Sequence, residues 1–88
     1  MKNEWAVIVM PSADKRIASL PKPERERIRA EINGLVTGPY DRTRDIKRLF
    51  GRPEWRLRVG QWRVLFLADG ERIIITVVSV SARGDAYK

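Results

Sequence analysis

The sequence predicts an α+β domain of element order β-α-α-β-β-β: an N-terminal strand, a helical hairpin, then an antiparallel three-stranded meander. Three observations carry that reading. The β-branched run "WAVIVM" (residues 5–10) reads as a strand. Two stretches with helical apolar spacing follow it, joined across "PKP". Residues 54–80 then alternate in polarity around two short turn signals. The helices are expected on one face of the sheet. A chain of 88 residues suffices for one modest core and not two, so residues 1–88 are expected to be one domain.

Pro11 is expected to end the first strand. Ser12 is the expected N-cap of the first helix, with Asp14 in its first turn and Ala13, Ile17 and Leu20 at helical spacing up to Pro21. Pro23 suits the first position of a second helix, with Glu24 and Glu26 near its positive end. Ile28, Ile32, Leu35 and Val36 form its apolar stripe, and Gly38-Pro39 stops it. After a loop over residues 39–45, "IKRLF" is at best the start of a strand that becomes clear in "EWRLRV". Gly60-Gln61 fits a two-residue turn with glycine first, giving a strand over 62–68. Asp69-Gly70 fits a second such turn, giving a last strand over 71–80.

Those turns fix an expected register. Val59 pairs with Trp62, Arg58 with Arg63, Leu57 with Val64 and Arg56 with Leu65; beyond the second turn, Ala68 pairs with Glu71 and Leu65 with Ile74. One face then carries Leu57, Val59, Trp62, Val64, Phe66, Ile73, Ile75 and Val77, a floor for the helices. Trp55 and Trp62 are read first as core residues. The other face carries Arg56, Arg58 and Arg63 beside Leu65, Leu67, Ile74, Thr76 and Val78. Directly opposed like charges destabilise a strand pair by some tenths of a kcal/mol up to about 1. Their placement needs a reason outside folding, and a bound phosphate backbone supplies one.

Composition narrows the chemistry. Lysine plus arginine number 18 against 11 acids, a net charge of +7, and the excess sits almost entirely in residues 42–63. A basic block of that kind with Trp55 and Trp62 inside it suits a polyanion; a solvated surface is the competing reading. The chain has no histidine and no cysteine, so disulfides, thiolate chemistry and histidine-based triads are excluded. No carboxylate cluster has metal-ligand spacing, and no glycine-rich phosphate loop is present, so no metal or cofactor is expected. No apolar stretch approaches the ~20 residues of a membrane span. The start, "MKNEWAVIVM", has too short an apolar run for a signal peptide and no small-residue cleavage site, so a cytoplasmic protein is expected.

Arginine, lysine and tyrosine remain, and they can still cleave RNA, whose 2′-OH is an internal nucleophile. The protein must orient that hydroxyl, neutralise charge growing on the phosphate and assist the leaving 5′-oxygen. Arginine meets the second need through bidentate contacts to phosphate oxygens. On the residues alone, Arg83 reads as a strand-end charge and Tyr87 as a terminal aromatic.

The stretch "LFGRPEWRLRVGQWRVLFLADGERIIITVVSVSARGDAY" resembles RelE, the toxin of bacterial and archaeal toxin–antitoxin pairs within the wider RelE/ParE superfamily, and "SADKRIASLPKPERERIRAEINGL" is similar to that family's N-terminal half. The most specific parts are L-x-G-x-x-x-(W/Y)-R-(L/I)-R, the aromatic-Arg-(V/L) after the turn, and the final Arg-x-x-x-Tyr. The resemblance implies a toxin of a type II pair that acts as a ribosome-dependent mRNA endoribonuclease, inhibits translation, and is silenced by a RelB-like antitoxin. It implies a catalytic set of Arg58, Arg63, Arg83 and Tyr87. In that set Arg63 matches a phosphate-contacting arginine, Arg83 the arginine supporting the leaving group, and Tyr87 a tyrosine that stacks on the base or assists proton transfer. Arg56 and Arg58 stand where the best-known members carry lysines; with a pKa above ~12, Arg58 is no general base. Arg48, Arg52 and Arg56 are the expected RNA-binding positions. Leu65, Leu67, Ile74 and Val78, which a hairpin on the opposite face cannot cover, are the expected antitoxin contacts. A ParE-like inhibitor of DNA gyrase, acting by binding alone, is the alternative, and an idle relative that only binds an antitoxin is a third reading.

Overall fold

The computed structural model describes residues 4–82. The elements are β1 (Ala6–Val9), α1 (Pro11–Ala18), α2 (Lys22–Asn33), a 3-10 turn (Gly34–Thr37), β2 (Ile46–Arg48), β3 (Trp55–Val59), β4 (Trp62–Asp69) and β5 (Ile74–Ala82). They build one sheet of order β1-β5-β4-β3-β2, antiparallel except for the parallel β1–β5 pair. The α+β class and the helical hairpin on one face agree with the sequence. The sheet holds one strand more than the meander accounts for, and it is mixed.

The extra strand is β2. "IKR" is a separate edge strand, with Ile46 opposite Leu57, Lys47 opposite Arg56 and Arg48 opposite Trp55. Gly51, at φ 72, turns the chain between them, and the Leu49 N–H donates to the Glu54 carbonyl (3.1 Å). The parallel edge follows from chain length. A parallel pair needs a long connection, and the helices plus meander provide it.

Strand passes into helix at β1 without a loop. The Met10 N–H still donates to the Val77 carbonyl (2.9 Å) while its own carbonyl accepts from Asp14 N–H (2.9 Å). Met10, not Ser12, is therefore the N-cap, and Pro11 opens the helix, where its missing N–H costs nothing. Pro21 likewise caps α2, which starts at Lys22, one residue before Pro23. The helix stops at Asn33, and Leu35 and Val36 lie in the tighter turn beyond it. Gly38, at φ 94, ends the unit, and a Cβ there would come within 2.6 Å of the Trp5 indole nitrogen.

The core lies between hairpin and sheet. Ala13, Ile17, Ile28, Ile32 and Leu35 meet Leu57, Val59, Val64, Phe66, Ile75 and Val77, with Trp55 and Trp62 packed at its edges. Fully burying a valine, leucine, isoleucine or phenylalanine side chain stabilises by about 1.5–3 kcal/mol. The first hairpin has the expected register throughout, and Gly60, at φ 61, takes the first turn position.

The second hairpin does not. Asp69 pairs with Ile74, so the connection is the four residues 70–73 and not Asp69-Gly70. Asp69 Oδ1 accepts from the main-chain N–H groups of Glu71 (3.1 Å) and Arg72 (3.2 Å), an arrangement that stabilises the wider turn. The wider turn leaves Ile73 at φ 58, a left-handed conformation that costs a β-branched residue roughly 1–2 kcal/mol. Ile73→Gly should therefore raise the melting temperature by a few degrees despite the lost side-chain packing, as read by thermal denaturation.

A register shift follows between Leu65 and Phe66: Phe66 pairs with Val77, whereas Leu65 pairs with Ser79. Val78 is the extra residue of this bulge. Beyond it the alternation inverts, so Val80 joins the core while Ser79 and Ser81 stand beside Leu65 and Arg63 on the open face.

Candidate nucleic-acid interface

The face of the sheet away from the helices is where β3 and β4 bring arginines together. Arg58 lies directly opposite Arg63, and Arg56 lies between Leu65 and Lys47 on its two neighbouring strands. The Arg58 N–H donates to the Asp45 carbonyl (2.9 Å), so its main-chain groups point away from β4. The Arg58–Arg63 pair is thus of the non-hydrogen-bonded kind, in which side chains come closest. Lys47 adds a fourth positive charge to the same face through its pairing with Arg56. Only the separate β2 strand places it there; recognising the hairpin around Gly51 would have revealed its parity in the sequence.

A carboxylate also stands in this group. Asp45 Oδ1 accepts from Arg56 Nη2 at 2.8 Å, and Asp45 Oδ2 lies 3.8 Å from Arg58 Nε. The loop carrying Asp45 is tied down by a polar network. Arg44 reaches back to Glu31 of α2 (2.9 Å) and lies 3.6 Å from Asp41. Asp41 in turn accepts from the Thr37 hydroxyl (2.6 Å) and from both the hydroxyl and the N–H of Thr43 (2.6 and 2.9 Å).

Those hydrogen bonds, the Thr37 hydroxyl first, lower the Asp41 pKa from 3.8 to about 2. A carboxyl depressed in the folded state contributes stability that is present above its unfolded pKa and is lost as pH falls from near 3.8 toward 2. Asp41→Asn should flatten that part of the acid limb when unfolding is followed against pH. The Glu54 carboxyl is lowered too, chiefly by its hydrogen bond from Arg52.

The remaining expected site residues divide. Arg48 pairs with Trp55, so it lies on the helix side of the sheet, its guanidinium 5.6 Å from the Trp55 ring centroid. It lines an open cleft of about 460 Å³ with Trp5, Tyr40 and Pro53. Arg52 sits in the β2–β3 loop, bonded to Glu54 at 3.1 Å. Neither joins the Arg56–Arg58–Arg63 face. Their nearness in sequence misleads because the strand pleat sends Arg48 to the opposite side and the loop carries Arg52 past the sheet end.

Of the expected apolar contacts, Leu65 is only 6% exposed, and it lies between Arg56 and Ser79. Arginine stems cover apolar surface well while their heads stay hydrated, which explains a buried leucine on an open face. Leu67 is exposed (38%), whereas Ile74 and Val78 are partly buried. Ile8 and Met10, both well exposed, extend the apolar strip at the β1 edge and were not foreseen, because only the β1–β5 pairing puts them next to Thr76 and Val78. Arg83 and Tyr87 lie outside the described residues.

A small α+β protein with an arginine-lined open sheet face is thus defined. Residues 7–87 match the family model described as the ParE toxin of the type II toxin–antitoxin system parDE. The chain is 34% identical over 76 residues to the putative toxin RelE1 of Methanocaldococcus jannaschii, covering 84% of each chain. In structure it is similar to RelE in the archaeal RelE–RelB complex of Pyrococcus horikoshii OT3, with a TM-score of 0.80 at 24% identity over 94% of this chain and 99% of that one. The isolated RelE toxin of E. coli gives 0.74 at 17% identity over 94% and 88%. The chain belongs to the RelE/ParE family of toxins from type II toxin–antitoxin systems.

Proposed function

We propose that this toxin is an endoribonuclease that cuts mRNA on the ribosome, with the Arg56–Arg58–Arg63 face as the seat of the RNA backbone. The observation that carries the reading is the closely opposed Arg58–Arg63 pair on a face the helices do not cover. Opposed like charges gathered on an uncovered sheet face suit a polyanionic ligand such as a phosphate backbone. In the proposed reaction the 2′-oxygen attacks the adjacent phosphorus, the bond to the 5′-oxygen breaks, and a 2′,3′-cyclic phosphate forms. Arg58 and Arg63 hold the non-bridging oxygens as negative charge grows on them. Arg83 supports the leaving 5′-oxygen, and Tyr87 stacks on the base or relays a proton. Arg58 remains protonated throughout, so the proton leaving the 2′-OH is relayed through the Tyr87 hydroxyl or through ribosomal RNA, and the leaving 5′-oxygen gains a proton to become the 5′-OH.

Gyrase inhibition is the second reading, favoured by the ParE description of the matching family model. Induced expression followed by mapping of mRNA 5′ ends separates the two. Cuts within translated codons are expected; DNA breaks with intact mRNA would establish the gyrase reading instead.

The partner is a RelB-like antitoxin, as in the neighbour from Pyrococcus horikoshii, whose structure is a complex with RelB. Exposed Ile8, Met10 and Leu67, on the same sheet face as the arginines, suit a segment with apolar residues spaced between acidic ones. Leu67→Ser should weaken antitoxin binding about tenfold in a titration with little change in melting temperature. Leu65→Ser should instead destabilise the fold, since that side chain is already buried.

A further inference from the structure

The three arginines of the open face are not equivalent. The Arg56 side chain is 12% exposed and bonded to Asp45 at 2.8 Å, whereas the Arg58 side chain is 37% exposed and meets Asp45 only through Nε at 3.8 Å. Asp45 is itself held in register, because its carbonyl accepts the Arg58 N–H at 2.9 Å. We propose that Asp45 and Arg56 are a positioning pair that aims the Arg58 guanidinium, with Arg56 bonded to the carboxylate and Arg58 turned so that its Nη edge faces the bound phosphate. The proposal deepens the RNA-cleaving reading and rests on it.

The geometry gives Asp45 two opposing effects. Its negative charge beside the phosphate seat disfavours any polyanion that docks there. Its contact at Arg58 Nε restrains a long side chain that would otherwise sample many rotamers. Nε of Arg58 is buried and makes no hydrogen bond among the described residues, so the Asp45 carboxylate is the charge that compensates it. A phosphate approaching the Nη edge therefore meets a guanidinium already oriented, and transition-state stabilisation depends on such orientation more than binding does.

The test uses the full chain with Asp45→Asn, which keeps the side-chain shape and removes the charge. Single-turnover cleavage of mRNA on programmed ribosomes, at varied toxin concentration, yields a limiting rate and a half-saturating concentration. The limiting rate should fall about tenfold or more while half-saturation stays unchanged or improves. Asp45→Glu, which keeps the charge on a longer arm, should recover part of the rate. A merely structural role would worsen both quantities together, and that outcome, or no change in either, overturns the proposal. A second readout is independent of activity: the Arg58 Nε–H resonance in proton–nitrogen NMR should be distinct in the parent and collapse toward the averaged arginine position in Asp45→Asn. An unshifted resonance overturns the positioning role. A parent chain that cuts no mRNA defeats the nuclease reading, and the resonance then decides the positioning pair alone. If Asp45→Asn does not fold, Asp45→Glu with the same two readouts decides.

Discussion

Arg58→Ala should abolish toxicity while leaving the melting temperature within a few degrees of the parent. The loss comes from the phosphate side: a preorganised cationic donor in a transition state is worth on the order of 10²–10³-fold in rate. The stability term is small because two contributions oppose each other. Removing Arg58 relieves its close contact with Arg63, worth some tenths of a kcal/mol up to about 1. It also removes an ion pair at 3.8 Å with a half-exposed carboxylate, worth no more than about 1 kcal/mol. Asp45 keeps its shorter bond to Arg56. Arg63→Ala should abolish toxicity likewise. Growth after induction and thermal denaturation of the purified variants are the two measurements. A toxic, well-folded Arg58→Ala protein would remove this face from the proposed reaction.

Phe66→Ala should lose about 3–5 kcal/mol, a large share of the 5–15 kcal/mol that holds a small domain folded. Phe66 is completely buried, and its ring stacks on Trp55 with centroids 6.2 Å apart and planes at 15°. It also pairs with Val77 at the last regular position before the bulge, so the cavity would open where the register of β4 and β5 changes. The expected result is a lower denaturation midpoint together with loss of toxicity. The contrast with Arg58→Ala is the informative comparison: one change removes function through the fold, the other through the site.

The first hairpin was fully legible in the sequence. Gly60 supplies a turn that only one register satisfies, and a one-residue slip would have sent Leu57 and Val64 into water. That hairpin alone opposes Arg58 to Arg63, so the centre of the candidate site could be read before any coordinates. The second hairpin misled because an Asp-Gly dipeptide has two uses. It closes a two-residue turn when both positions take positive φ, but here the Asp69 carboxylate accepts main-chain N–H groups and builds a wider turn. Slipping by an even number of residues preserved the inward face as far as the bulge, so Ile75 and Val77 still reach the core.

By itself, then, the sequence determined the α+β class, the helical hairpin, the inward face of the meander and the opposed arginines. Each rests on local rules of spacing, turn chemistry and alternation that involve residues close together in the chain. What only the tertiary structure decided are the pairings between distant segments: β1 beside β5, β2 beside β3, and the bulge at Val78. Those pairings exchange Arg48 for Lys47 on the open face, bring Asp45 to Arg56 and Arg58, and place Ile8 and Met10 beside the apolar strip. An edge strand of three residues has too few alternations to announce its own parity. Its partner's hydrogen bonds fix which way each side chain points, and with that, which charges share a site.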